Sequence, residues 1–285
     1  MAITNRYDFI MLFDVENGNP NGDPDAGNTP RMDAETGYGY ITDVCLKRKI
    51  RNFVELAKEG ESGYNILVKP DKALNTRFAE AYDAEQLEKG KKGKKADDVK
   101  KARDYMCRNY FDVRAFGAVM STGDNPCGIV RGPVQITFAR SLSQINIEDV
   151  TITRQARTTE DRQETGGTEM GRKSIIPYAL YRAEGYISAA LAQKMTGLSD
   201  DDVELLWDAI VNMFENDHSA ARGKMCMRKL YIFKHDSTLG NCPSHVLFDK
   251  VEVSLKEEKP PRQFADYTIH VDDAMPEGVT LIEKL

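Results

Sequence analysis

Apolar residues run almost unbroken from Tyr7 to Val15 (YDFIMLFDV). The run is too short for a typical helix and rich in aromatic and branched side chains, so it predicts a strand buried on at least one face. Asn17 to Arg31 (NGNPNGDPDAGNTPR) is so dense in Gly, Pro, Asn and Asp that it predicts a long structured loop with no regular element. From Thr42 the spacing turns helical: Val44, Cys45, Phe53, Val54 and Ala57 recur on one side, and Lys47, Arg48 and Arg51 on another. Thr42 is placed to cap this helix. The opening unit is therefore strand, long loop and helix, the helix carrying a basic outer face.

Residues 59–108 change character, with seven Lys between Lys89 and Lys101 and the string GKKGKK before ADDVKKARDYM. They read as an inserted, solvated, partly helical arm. Strand signals resume at Val134, Ile136 and Phe138, after Gly132 and Pro133. Residues 154–175 hold almost no large apolar side chain except Met170, and a polar excursion of that length between ordered elements marks a functional or a disordered segment. Tyr178 to Ile187 alternates as a strand. After Leu198, Ser199 caps the clearest helix, Asp200 to Asp202 suit its positive end, and Val203, Leu206, Trp207, Ile210, Val211 and Phe214 form one core stripe. Further strands are expected at Lys229–Lys234, Val246–Ser254, Tyr267–Val271 and Thr280–Ile282. Strands and helices mix without regular βαβ alternation, so the expected class is α+β, an antiparallel sheet with helices against one face.

Composition narrows the functional classes. In 285 residues, 41% of them apolar, 39 Lys+Arg stand against 45 Asp+Glu, a net charge of −6. The chain has enough apolar content for a real core and is not basic overall. Its five cysteines (Cys45, Cys107, Cys127, Cys226, Cys242) are scattered and never in a C-x-x-C pair, which argues against a disulfide framework or a zinc site and fits a reduced cytoplasm. No run approaches the ~20 apolar residues of a membrane span, and MAITNRYDF lacks the apolar core of an export signal, so neither export nor a membrane is expected.

Candidate chemistry is sparse. Asn17, Asn19, Asn21 and Gly22 fall at positions 1, 3, 5 and 6 of an EF-hand-like loop, but position 12 is Asn28 and position 1 lacks its Asp. These residues serve equally as turn formers and backbone amide donors that can contact phosphates. None of His218, His235, His245 and His270 sits in a nucleophile context, and no phosphate-loop or dinucleotide motif occurs. Basic residues do gather by segment: Lys47, Arg48, Lys49 and Arg51; Arg154, Arg157, Arg172 and Lys173; Arg222, Lys224, Arg228 and Lys229. Such clusters suit a phosphate backbone, where Lys and Arg displace condensed counterions. Lys47 and Arg51, one turn apart, could reach consecutive phosphates, and Gly223 would let backbone amides approach a ligand beside Ser219, Arg222 and Lys224.

Several strings carry more than their composition. NRYDFIMLFDVENGNPNGDPDAGNTPR with GYITDVCLKRKIRNF, FDVRAFGAV, GPVQITFARS, TEMGRKSIIPYALYRAEGYIS and NDHSAARGKMCMRKLYIFKHDS together resemble the CRISPR-associated backbone subunit of the type I-C surveillance complex, Cascade. The resemblance spans nearly the whole chain and is thinnest over residues 60–105 and after about residue 255.

It implies a member of the RAMP superfamily: one palm-type domain over residues 1–285 with a modified RNA-recognition (ferredoxin-like) fold, a helical finger insertion at 59–108 and a projecting thumb hairpin at 154–175. Such subunits polymerise head to tail along a CRISPR guide RNA and leave its bases free to pair with target DNA. Other Cascade subunits cap the filament, and a recruited helicase-nuclease cuts the target. The implied role is a non-catalytic scaffold without metal or cofactor. The alternative is a RAMP endoribonuclease, processing CRISPR RNA with His and Lys or cleaving target RNA with an Asp in the loop after the first strand, for which Asp23 and Asp25 are the candidates. The expected guide contacts are Asn19, Asn21, Arg31, Lys47, Arg48, Arg51, Arg114, Arg154, Arg157, Met170, Arg172, Lys173, Ser219, Arg222, Gly223 and Lys224.

Overall fold

The computed structural model describes residues 1–90, 95–154 and 169–285. Its centre is an antiparallel sheet built on strand β1 (Tyr7–Gly18). The loop that follows contains two short paired strands, β2 (Gly22–Asp23) and β3 (Thr29–Pro30), around a 3-10 turn that Asp23 caps by accepting from the Asp25 N–H (3.2 Å). The expectation of no regular element is corrected to that extent, since the Asn and Asp side chains fold the segment back on itself. Strand β4 (Tyr38–Ile41) leads into helix α1 (Asp43–Ala57), capped by Thr42, whose hydroxyl accepts from the Cys45 N–H (3.3 Å).

Helices α2 (Leu74–Ala84) and α3 (Ala96–Asn109) follow, then α4 (Phe111–Phe116) and the hairpin β5 (Gly117–Met120) with β6 (Gly128–Arg131). Residues 59–108 are more than a solvated arm. Phe78, Ala81 and Tyr82 of α2 and Ala102 and Met106 of α3 recur at helical spacing and close a separate core with Tyr110, Met120, Cys127 and Val130. The sheet continues with β7 (Val134–Ile136), β8 (Ala139–Gln144), β9 (Glu148–Arg154) and the 19-residue β10 (Glu169–Ile187). Helix α5 (Asp200–Asn212) starts at Ser199 with a capping box: the Ser199 hydroxyl accepts from the Asp202 N–H, and the Asp202 carboxylate accepts from the Ser199 N–H.

Strand β11 (Lys224–His235) returns beside β1. Helix α6 (Ser244–Phe248) and strands β12 (Val251–Leu255), β13 (Tyr267–Val271) and β14 (Val279–Glu283) complete the chain. The strand expected at Val246–Ser254 is thus a helix followed by a shorter strand. Leu247 and Phe248 are consecutive and both buried against the same cluster, which a helix permits and an alternating strand does not.

The sheet order is β14-β11-β1-β10, with β7, β8 and β9 along the far edge of β10 and β4 outside β8. Odd positions of β1 (Phe9, Met11, Phe13) pack with Trp207, Ile210 and Leu46 from α5 and α1. Even positions (Ile10, Leu12) pack with Leu247, Phe248 and Tyr267 from α6 and the β12–β13 hairpin. Both faces of β1 are therefore covered, which accounts for its unbroken apolar run. Helices were expected on one face only; the C-terminal layer covers the other.

Candidate nucleic-acid interface

At the C-terminal end of β1 three segments distant in sequence meet. Asn17 takes a left-handed backbone (φ 52°), and the Asn19 N–H then donates to the Ala221 carbonyl (2.8 Å). Gly18 lies so close to the 219–224 turn that a Cβ there would stand 1.9 Å from the Arg222 carbonyl oxygen. Gly223, at φ 62°, faces the Asn17 carbonyl in the same way, a Cβ falling 2.4 Å from it. Glycine is required on both sides of this contact.

The loop is also pinned to α1. The Asn21 carboxamide oxygen accepts from the Thr42 N–H (3.0 Å) and hydroxyl (3.1 Å), and the Asn19 amide donates to the Asn28 carbonyl (2.7 Å). Two of the Asn residues that suggested a calcium loop therefore serve structure instead, Asn19 holding the loop's own backbone and Asn21 the start of α1. Asp23 caps the 3-10 turn and pairs with Arg31 (3.5 Å), the role of a turn former.

Asp217 clamps two of these segments. Its carboxylate takes the buried Lys49 of α1 and Arg222 of the turn, while Lys49 also lies 5.7 Å from the Phe214 ring. Burial pushes the Cys45 thiol up despite the nearby Lys49 and Arg222. From the sheet, Lys173 donates to the Ala220 carbonyl (2.8 Å), Lys224 pairs loosely with Glu16 (3.4 Å), and Ser219 accepts from the Arg222 N–H (3.3 Å). Just inside, Arg228 (2.8 Å) and Tyr178 (2.9 Å) both donate to Asp14, whose carboxyl burial pushes above its usual range against the pull of Arg228.

The structure thus brings together Asn19, Asn21, Arg31, Lys173, Ser219, Arg222, Gly223 and Lys224, with Arg48 exposed on α1 three residues after Cys45. It separates the others. Lys47 and Arg51 do not share an open basic face with Arg48: Lys47 pairs with Asp43 (2.9 Å), Arg51 with the buried Asp112 (2.8 Å), and both lie by the Phe116 ring. Val44, expected on the apolar side, is exposed. Arg114 is enclosed, donating to Asp202 through two nitrogens (2.9 and 2.7 Å) and to the Gly63, Cys107 and Arg108 carbonyls, so it ties α4 to α5 rather than facing a ligand. Met170 and Arg172 sit further out on the arm formed by β9 and the start of β10, both exposed. Arg157 and the side chain of Arg154 lie outside the described residues. Sequence reasoning missed Asp217, whose partner Lys49 is 168 residues away; only an acidic residue just before the basic turn hinted at it.

Fold and site define an α+β protein whose central antiparallel sheet opens at one end onto a rigid, amide-rich, basic surface. The chain matches the family model of CRISPR-associated protein Cas7 over residues 5–272 and belongs to that family. A CRISPR-associated protein Cas7 of Haloferax volcanii is 29% identical over 241 residues, covering 74% of this chain and 66% of the relative, so the chain spans just under two thirds of that protein's length. Among solved structures it resembles a chain of a CRISPR RNA-guided surveillance complex in a pre-nicking state (TM-score 0.49, 15% identity, 80% of this chain and 78% of that one). It also resembles a chain of a second CRISPR RNA-guided surveillance complex (0.46, 13%, 80% and 68%).

Proposed function

We propose that this chain is a backbone subunit of a type I-C Cascade that grips CRISPR guide RNA and polymerises along it head to tail, presenting the guide for pairing with target DNA. The convergence of the Asn17–Arg31 loop, the start of α1, the 219–224 turn and the root of the β9–β10 arm carries this reading; membership of the Cas7 family supports it. A loop and turn held in place by their own hydrogen bonds, carrying exposed basic heads, suit a phosphate backbone and read no base. The sheet and its two layers would be the palm, residues 59–108 the finger and 154–175 the thumb. The role is that of a scaffold: Asp23 and Asp25 build a turn, and cutting would belong to partner subunits and a recruited helicase-nuclease.

The test uses two open basic heads beside the loop and the turn, Arg48 and Lys224. Arg48→Ala with Lys224→Ala leaves the fold intact, since Arg48 forms no ion pair among the described residues and the exposed Lys224–Glu16 pair contributes little. Guide retention should fall for every guide sequence. The dependence of log K on log salt should flatten by about 1.4, two contacts at ~0.7 per single-strand phosphate. Unchanged retention and slope would remove the assignment.

A further inference from the structure

On the sheet face opposite α1 and α5, three neighbouring strands align one row of side chains. Tyr40 of β4 stands across from Arg140 of β8, and Arg140 across from Arg182 of β10; residues paired directly across an antiparallel ladder share a face. Two guanidinium groups placed this way repel each other. Arg182 has relief: it donates to Glu184 and to the Phe248 (2.9 Å) and Val251 (2.7 Å) carbonyls at the margin of the C-terminal layer. Arg140 is exposed, feels Asp33 only at longer range and forms no ion pair among the described residues.

Beside the arginines Phe138 is 50% exposed, its ring nearly parallel to Tyr40 (5°, centroids 6.3 Å apart). Half of the Phe138 side chain stays open to solvent beside Tyr40. Thr137, Phe138, Arg140, Leu142, Arg182 and Glu184 line a cavity of about 350 Å³ here, within the range of small-ligand sites. A half-exposed aromatic ring next to a guanidinium with no ion pair among the described residues suits one nucleotide of a single strand, base on the ring and phosphate on the arginine.

We infer that this is a stacking subsite for a guide nucleotide, an inference that rests on the guide-binding reading above. Continuity favours the guide over any other strand. The Tyr40 N–H donates to the Arg31 carbonyl (3.0 Å), so the loop at the basic end runs directly into the stack, and a strand lying along that loop is delivered to Phe138. The subsite adds stacking energy and fixes one base plane, which phosphate contacts alone cannot do.

The experiment uses the full chain assembled on its guide, with 5-iodouridine placed at successive guide positions and, separately, in the target strand. Near-ultraviolet irradiation should link particular guide positions to the peptide holding Phe138 or Tyr40. Phe138→Ala should abolish the link to residue 138 itself and weaken single-stranded RNA binding about tenfold, whereas Phe138→Trp should retain binding. Guide crosslinks elsewhere in the chain but none at these residues, crosslinks here from the target strand alone, or unchanged affinity of Phe138→Ala would each overturn the subsite. The Arg48→Ala, Lys224→Ala variant separates the two readings: if it loses the guide while Phe138→Ala does not, only the subsite falls, and if neither does, the guide-binding reading falls with it.

Discussion

Strand β10 is one continuous strand with two unlike halves. From Ile176 to Ile187 it has β1 on one side and β7 and β8 on the other, and Ile176, Ala179, Leu180, Tyr181 and Ile187 are fully buried. From Glu169 to Ile175 it pairs with β9 alone, and Met170 and Arg172 stand in solvent. The change falls at Pro177, which has no N–H to donate; opposite it Asn17 turns left-handed, and β1 skips that one pair before closing on Ile176 through Gly18 in the same register. One backbone thus serves the core and then leaves it as an arm, and the arm's root is where the basic end assembles. A strand's assignment follows from its hydrogen-bonded neighbours, its role from what covers its faces.

That contrast can be broken by substitution. The largest effect should come from the core half: Leu180→Ala leaves a cavity between the sheet and the C-terminal layer and should cost about 2–5 kcal/mol, read as a lower denaturant midpoint at unchanged slope. A loss under 1 kcal/mol would mean that this face is not a packed core. At the junction, Asp14 supplies a pH signature beneath Tyr178. Its folded-state pKa is raised by burial, so its favourable contribution is fully present below about 3.8 and is lost as pH rises through the folded value. Asp14→Asn cannot ionise, so the decline in stability that starts near pH 3.8 should flatten in that variant; retention of the full slope would assign it to another group. The smallest effect belongs to the arm half: Met170→Ala should change stability by no more than about 0.5 kcal/mol while loosening the ordered assembly of subunits on the guide, seen as a less regular nuclease footprint. A change in thermal unfolding as large as that of Leu180→Ala would mean that Met170 is packed.

Local signals were reliable where one face decides the pattern. The Ser199 cap and the Val203, Leu206, Trp207 and Ile210 stripe lie where their spacing places them, and so does the Thr42 cap. They failed where the partner is remote. Nothing around α1 says that Lys49 turns inward to Asp217 while Arg51 turns to Asp112, because a helix places cations by spacing, whereas neighbouring elements decide which of them meets a carboxylate. Arg114 illustrates the same limit. Its string carries family resemblance, yet its guanidinium ties α4 to α5 through Asp202.

What the sequence determined by itself was therefore the type of the strongly patterned elements β1, α1 and α5, the caps, and the clustering of basic residues by segment, all set by interactions within a few residues. The tertiary structure alone decided which basic heads remain open, which are neutralised inside, and that Gly18 with Asn19, Lys173 and Gly223 close one surface from three places in the chain. It also decided that Tyr40, Arg140 and Arg182 form a row, since cross-strand register follows from sheet order and not from any local pattern. The physical reason is range: hydrogen bonding within a helix turn or a cap is fixed by neighbours in sequence, while charge compensation and side-chain convergence depend on contacts that exist only once the sheet has closed.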